Sequence, residues 1–211
     1  MTAPDSSRIY DGRPVADRRA QRRTQFLAAG LELFGASGYQ DSSITALCRA
    51  AGLARSQFYE HFHNREELLL AVFDMIQEEA RQAVAVAVDL TEPGDGVGWA
   101  QAAVRAYAES LGCDPRRARI SQIEIVGVSE RVEQHRLDQR EAWMTFFADQ
   151  CTRTLGPDFV PPGGYRAAAT GFVGALNALV HQWSTGDSRL DLAAVTEVLT
   201  RFLTSLTSVS E

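Results

Sequence analysis

The sequence predicts an all-α chain. Three observations carry this. Apolar residues recur at i, i+3, i+4 and i+7 through most of the 211 residues. Glycine and proline clusters separate those stretches, at Thr91–Gly98, Gly112–Pro115, Gly156-Pro157, Pro161–Gly164 and Gly186-Asp187. No set of strands emerges, because the β-branched stretch Ile120–Val128 would stand without a pairing partner. A chain of this length buries about 70% of its unfolded surface and needs no covalent staples.

Residues 1–16, with Pro4, Gly12 and Pro14, read as a flexible arm carrying Arg8 and Arg13. A helix begins near Ala16. Phe26, Gly30, Leu33 and Phe34 form its stripe, Arg18, Arg19, Arg22 and Arg23 crowd its first turns, and Gly35 and Gly38 mark its end. Ser42 or Ser43 can cap a short second helix on Ile44, Leu47, Cys48 and Ala51, stopped by Gly52. A third runs from Arg55 to Phe62. Asn64 caps a fourth, where Glu66 and Glu67 suit the positive end of the helix dipole and Leu69, Val72, Phe73 and Ile76 continue to about Val88. Further helices are expected over Trp99–Leu111, Pro115–Val126, Ser129–Leu155, Gly164–Ser184 and Leu190–Thr207. The domain division expected is arm 1–16, head 17–64 and body 65–211.

Charge narrows the function. The net charge is −6, but residues 1–65 hold nine Arg against six acids, and the remainder twelve Arg against twenty-one. Only the first third suits a polyanion. Three cysteines without CxxC spacing argue against disulfides and structural zinc; Cys113 and Cys151 read as buried packing residues. His61 and His63 are poorly spaced for one metal, so no metal or cofactor is expected. No nucleophile elbow, HExxH, phosphate loop or GxGxxG occurs, so an enzyme is not expected. The polar opening lacks a secretory signal and no apolar run is long enough to span lipid, so a cytoplasmic protein without membrane association is expected.

Two short helices meeting at a glycine make a helix-turn-helix. Cys48 and Ala51 are small where the helices touch, Gly52 permits the turn, and Leu53 and Phe58 fill the space beneath. The second helix would show Arg55, Ser56, Gln57 and Glu60 to the major groove. Arg grips guanine O6/N7, and Gln grips adenine N6/N7. Tyr59, His61 and Arg65 would meet phosphates.

The stretch 20–73 resembles the tetracycline-repressor (TetR) family of regulators. The residues that carry it are Phe26, Ala29, Leu33, Phe34, Gly38, Tyr39, Ser43-Ile44, Leu47, Ala51-Gly52-Leu53, Phe58-Tyr59, His61-Phe62 and Arg65-Glu66-Glu67-Leu68. The resemblance implies a three-helix DNA-binding domain, a connecting helix, and a helical domain that binds a small effector and dimerises. By position it adds Ser43 to the phosphate contacts and supports Arg55, Ser56 and Gln57 as the base-reading face. Three positions depart from the pattern. Ala54 replaces a capping Ser or Thr, Cys48 replaces Ala, and Arg65 replaces Lys. Losing the cap costs about 1 kcal/mol.

In the body, the last two helices are the expected homodimer interface. Ala167, Ala168, Gly171, Gly174, Ala175 and Ala178 permit close approach beside Leu192, Val195, Leu199 and Phe202. Tyr107, Ile123, Trp143, Phe147 and Phe172 are the candidate lining of an effector pocket, and their apolar character favours a lipophilic ligand. The expected protein is a repressor that binds a palindromic operator in double-stranded DNA and is released by its effector. The alternative is a helical ligand-binding or interaction module that has lost specific DNA binding, which Ala54 and the acidic total would suit.

Overall fold

A computed structural model describes residues 15–92, 94–184 and 191–207. The expected arm up to position 14 and the Gly186-Asp187 breaker lie outside the described residues. Among those described there are nine α-helices, one π-helical turn and no strand. The chain divides into two compact units at Val72 and Phe73.

The head is built from α1 (Val15–Ala36), α2 (Ile44–Ala51), α3 (Arg55–Tyr59) and the first turns of α4 (Arg65–Asp89). Its core is Phe26, Phe34, Leu47, Phe58, Leu68 and Leu69, all fully buried. Phe26 meets Phe58 edge-on at 5.4 Å and Phe62 at 6.2 Å. Gly30 sits in the apolar stripe of α1 because α4 leaves no room for more. A Cβ there would lie 2.8 Å from Val72 Cγ2 and 3.3 Å from Leu68 Cγ. The third helix is shorter than its pattern suggested. It ends at Tyr59, and Phe62 closes the following turn through N–H to Phe58 O at 2.9 Å.

The body comprises the rest of α4 with α5 (Gly96–Gly112), α6 (Pro115–Arg119), a π-helical turn over Ile120–Glu124, α7 (Glu130–Leu155), α8 (Gly164–Ser184) and α9 (Leu192–Thr207). Side-chain oxygens accept from the otherwise unpaired first-turn N–H groups: Asn64 from Glu67, Asp95 from Gly98, Ser129 from Val132. Helix α5 packs on α9, and α8 packs on both α7 and α9.

Two expectations fail here. The helix expected over Pro115–Val126 is α-helical only to Arg119. Ile125 N–H then reaches back five residues to Ile120 O at 3.2 Å, and the turn ends before Gly127 at φ +71°. Cys113 is exposed, not a packing residue, because it falls at the C-terminal cap of α5. Cys48 and Cys151 are buried, and burial pushes the Cys151 thiol up to about 12. Among the described residues no helix is long and apolar enough to cross a membrane.

Candidate nucleic-acid interface and effector cavity

The turn of the helix-turn-helix is set by Gly52, which ends α2 at φ +66°, a conformation a side chain would disfavour. Leu53 N–H bonds Cys48 O at 3.0 Å, and Cys48 and Ala51 are buried where the sequence asked for small residues. Ser43 is exposed at the start of α2, its Oγ accepting from Ala46 N–H at 3.1 Å.

Helix α3 carries the candidate reading face. Arg55 and Ser56 are exposed. The Arg55 guanidinium donates to Tyr59 Oη at 3.2 Å and lies 5.8 Å from the Tyr59 ring centroid. That hydrogen bond lifts the Arg55 pKa above its ordinary value. Tyr59 is itself exposed. Gln57 has a different employment. Ala54 has the extended backbone of an N-cap but no side-chain oxygen to offer, and its own N–H donates to Gln57 Oε1 at 2.9 Å. This is one half of a capping box. A bidentate grip on adenine uses the same Oε1 as acceptor, so base reading and capping compete for Gln57.

The structure turns two expected phosphate contacts inward. Arg65 Nη1 donates to the carbonyls of Tyr39 at 3.0 Å, Gln40 at 3.3 Å and Ser42, with the guanidinium 4.8 Å from the Tyr39 ring centroid. It ties down the α1–α2 loop, whose carbonyls supply a ready set of acceptors. His61 tilts against Phe26 at 6.1 Å, and its Nε2 is buried without a hydrogen-bond partner. Burial first, then the positive field of Arg19, holds its pKa below the ordinary value. Glu60, which the sequence put on the reading face, instead receives Arg19 through its carbonyl at 3.4 Å and Arg22 through its carboxylate at 3.5 Å.

The body holds a cavity of about 170 Å³ that is partly open to solvent. Tyr107, Trp143, Phe147 and Phe172 line it; Ile123 does not. The π-helical turn adds one residue per turn and carries Ser121 and Gln122 onto the cavity wall in its place. The aromatic frame is continuous. Tyr107 meets Trp143 edge-on at 5.4 Å, Trp99 meets Phe147 at 6.4 Å, and Phe147 stacks on Phe172 at 6.1 Å. Burial pushes the Tyr107 phenol above its ordinary pKa, so it remains O–H.

Polar groups in the wall escaped the sequence reading. Trp143 Nε1–H donates to Gln77 Oε1 at 2.7 Å, and Gln77 Nε2 donates to Ser121 Oγ at 3.3 Å. Gln77 and Ser121 are buried. A glutamine one turn after Phe73, on the apolar stripe of α4, was the available signal. Gln122 donates to Asn177 Oδ1 at 3.3 Å. Trp99 also lines the cavity, and its Nε1 is buried without a partner. Beside the wall, Asp74 accepts from Gln139 at 2.8 Å and lies 2.6 Å from His135 Nε2. Arg81 donates to Gln139 at 3.0 Å and sits 5.6 Å from the Trp143 ring centroid. These contacts fasten the body section of α4 to α7. Among the described residues no cluster of three or more His, Cys, Asp or Glu could hold a metal.

Comparison with known proteins finds transcriptional regulators. A curated relative, the fatty acid metabolism regulator protein of Bacillus subtilis (strain 168), is 21% identical over 183 residues, covering 86% of this chain and 93% of its own. The HTH-type transcriptional regulator EthR of Mycolicibacterium smegmatis (strain ATCC 700084 / mc(2)155) is 25% identical over 166 residues, 76% of each chain. Among solved structures, the regulator FadR of Bacillus subtilis in complex with stearoyl-CoA shares the fold with a TM-score of 0.73 at 18% identity, covering 86% of this chain and 97% of that one. Residues 26–72 match the family model for bacterial regulatory proteins of the tetR family. The matched residues build the helix-turn-helix of this head, and the similarity to the tetR family rests there.

Proposed function

We propose that the protein is a homodimeric repressor that binds a palindromic operator and releases it when a lipophilic effector enters the body cavity. The observation that carries the DNA-binding part is the exposed Arg55–Ser56–Tyr59 face of α3, braced by α2 within the matched head. Arg55 is the base reader. Ser43 and Tyr59 are the phosphate contacts, and Gln57 serves first as a helix cap.

Dimerisation rests on α8. Ala167, Gly171, Gly174, Ala175 and Ala178 fall at i, i+4, i+7, i+8 and i+11, one face of small residues that the protomer leaves exposed or half-buried. With α9 alongside, this face suits close packing against a second copy across a two-fold axis. One short recognition helix reads too few bases for useful specificity. The effector part rests on the aromatic cavity, supported by relatives named for fatty acid metabolism and crystallised with stearoyl-CoA. Phe73, Gln77 and Val84 put α4 in the cavity wall, and α4 continues unbroken from Arg65. A ligand that shifts α4 therefore acts on the helix that begins in the head. Opposed binding of effector and DNA by about 1–3 kcal/mol is the expected coupling. The cytoplasm is the expected compartment, and no catalysis is proposed.

Selection of bound sequences from random duplex DNA by the purified protein tests this. The expected product is a palindrome whose half-sites lie about one helical turn apart, or a little more. R55A then weakens binding to the selected site by about 1–3 kcal/mol and relaxes one base position. Equal retention of every sequence, before and after R55A, would leave only a helical interaction module. A single unrepeated half-site would remove the dimer.

A further inference from the structure

The wall of the cavity is ordered along α7. Arg136, Arg140, Trp143, Phe147 and Gln150 stand at i, i+4, i+7, i+11 and i+14, one stripe facing the cavity. Arg136 and Arg140 stand at the N-terminal end of that stripe. Arg136 is neutralised by Glu133 on the same helix. Arg140 makes no ion pair among the described residues and is exposed. One turn on, Trp143 and Gln77 form the polar middle. Phe147 follows, with Trp99 and Phe172 packed against it, so the far section is aromatic. From Arg140 to Phe147 the helix rises about 10 Å, within the reach of a medium-length alkyl chain.

This deepens the effector reading and rests on it. We infer that the cavity takes an anionic amphiphile laid along α7, its negative group on Arg140 and its alkyl tail against Trp99, Phe147 and Phe172. An unpaired guanidinium at the rim of an apolar cavity selects for charge, because an anion gains a charge-assisted contact there that a neutral head cannot. A hydrocarbon tail gains from burial in the aromatic section roughly in proportion to its area. A free carboxylate and an acyl thioester on a phosphate-bearing carrier share this chemistry.

Three probes of equal tail length separate the possibilities: decanoate, decanoyl-CoA and decanol, titrated into the full-length protein by calorimetry. At least one of the two anions is expected to bind tenfold or more tighter than decanol, and the tighter one identifies the source of the charge. R140Q is expected to weaken that anion tenfold or more while leaving decanol within about twofold. R140K should recover part of the loss. Arg140 is exposed, so these variants should fold as the parent does. Decanol binding as tightly as both anions, or anion binding unchanged in R140Q, overturns the inference while the cavity remains an effector site. No heat from any probe counts against the cavity as a lipophilic effector site, and the inference falls with it.

Discussion

The head and the body solve different problems with the same helices. The head spends its apolar residues on a dense core: Phe26, Phe34, Leu47, Phe58 and Leu68 are fully buried, and its candidate function lies outside that core on exposed Arg55, Ser56 and Tyr59. The body leaves its core incomplete. Tyr107, Trp143, Phe147 and Phe172 surround a cavity, and buried Gln77 and Ser121 place hydrogen-bonding groups in its wall. A surface that reads a rigid partner needs a firm platform. A site that accepts a flexible apolar ligand needs unfilled space, and gives up packing to have it.

The largest test of that contrast is F58A. Phe58 is fully buried, with the rings of Phe26, Tyr59 and Phe62 at 5.4, 5.6 and 5.6 Å by centroid. Truncating a buried phenylalanine costs about 3–5 kcal/mol, enough to unfold a unit of this size. DNA binding should be lost, while calorimetry retains a body transition near the parental temperature. Simultaneous loss of both transitions would mean that the two units fold as one, and the contrast would need redrawing.

The head was far more legible in the sequence than the body's site. Its pattern is short and tightly spaced: Gly52 must take a left-handed backbone, and Phe26, Leu47 and Phe58 must be apolar at fixed separations. What remained hidden there were side-chain engagements across the chain. Arg65 looks free in sequence, yet the Tyr39, Gln40 and Ser42 carbonyls lie within its reach. Gln57 looks like a reading residue until Ala54 leaves an N–H for it to cap. In the body, helical periodicity found four of the aromatic wall residues, because large apolar side chains point inward whether they meet core or cavity. It misplaced Ile123, since nothing in the sequence marks the change from α to π register over Ile120–Glu124. It passed over Gln77, one polar residue in an apolar stripe, whose meaning depends on Trp143 and Ser121 from elsewhere in the chain.

A second test addresses the body alone. Q77L keeps the volume but removes the acceptor for Trp143 Nε1–H and the donor to Ser121 Oγ. Leaving partly buried polar groups unpaired costs about 1–3 kcal/mol, so the body transition should move down and the head transition stay in place. The indole then lacks its partner, and near-ultraviolet dichroism from Trp143 should change. Unaltered body stability would mean that water replaces Gln77 readily and that the polar middle of the cavity is wetter than its burial suggests.

The smallest test returns to the head and runs in the stabilising direction. Ala54 already has the backbone of an N-cap, with φ −73° and ψ 154°, and Gln57 already accepts from its N–H. The Gln57 N–H now reaches only the Ala54 carbonyl, at 3.0 Å, and A54S supplies a side-chain acceptor for it, which completes a Ser-x-x-Gln capping box without moving the chain. A cap of this kind is worth about 1 kcal/mol, so the head transition should rise by a few degrees while the body transition is unmoved. The gain carries a further reading for DNA. If Gln57 stays committed to the cap, A54S should leave operator preference at its position unchanged. If Gln57 leaves the cap to grip adenine in the complex, the hydroxyl then holds the helix start by itself. In that case A54S should strengthen specific binding by more than it stabilises the free head. Thermal unfolding and operator titration on the same preparation separate the two, and no change in either would place the start of α3 already at its stability limit without a side-chain cap.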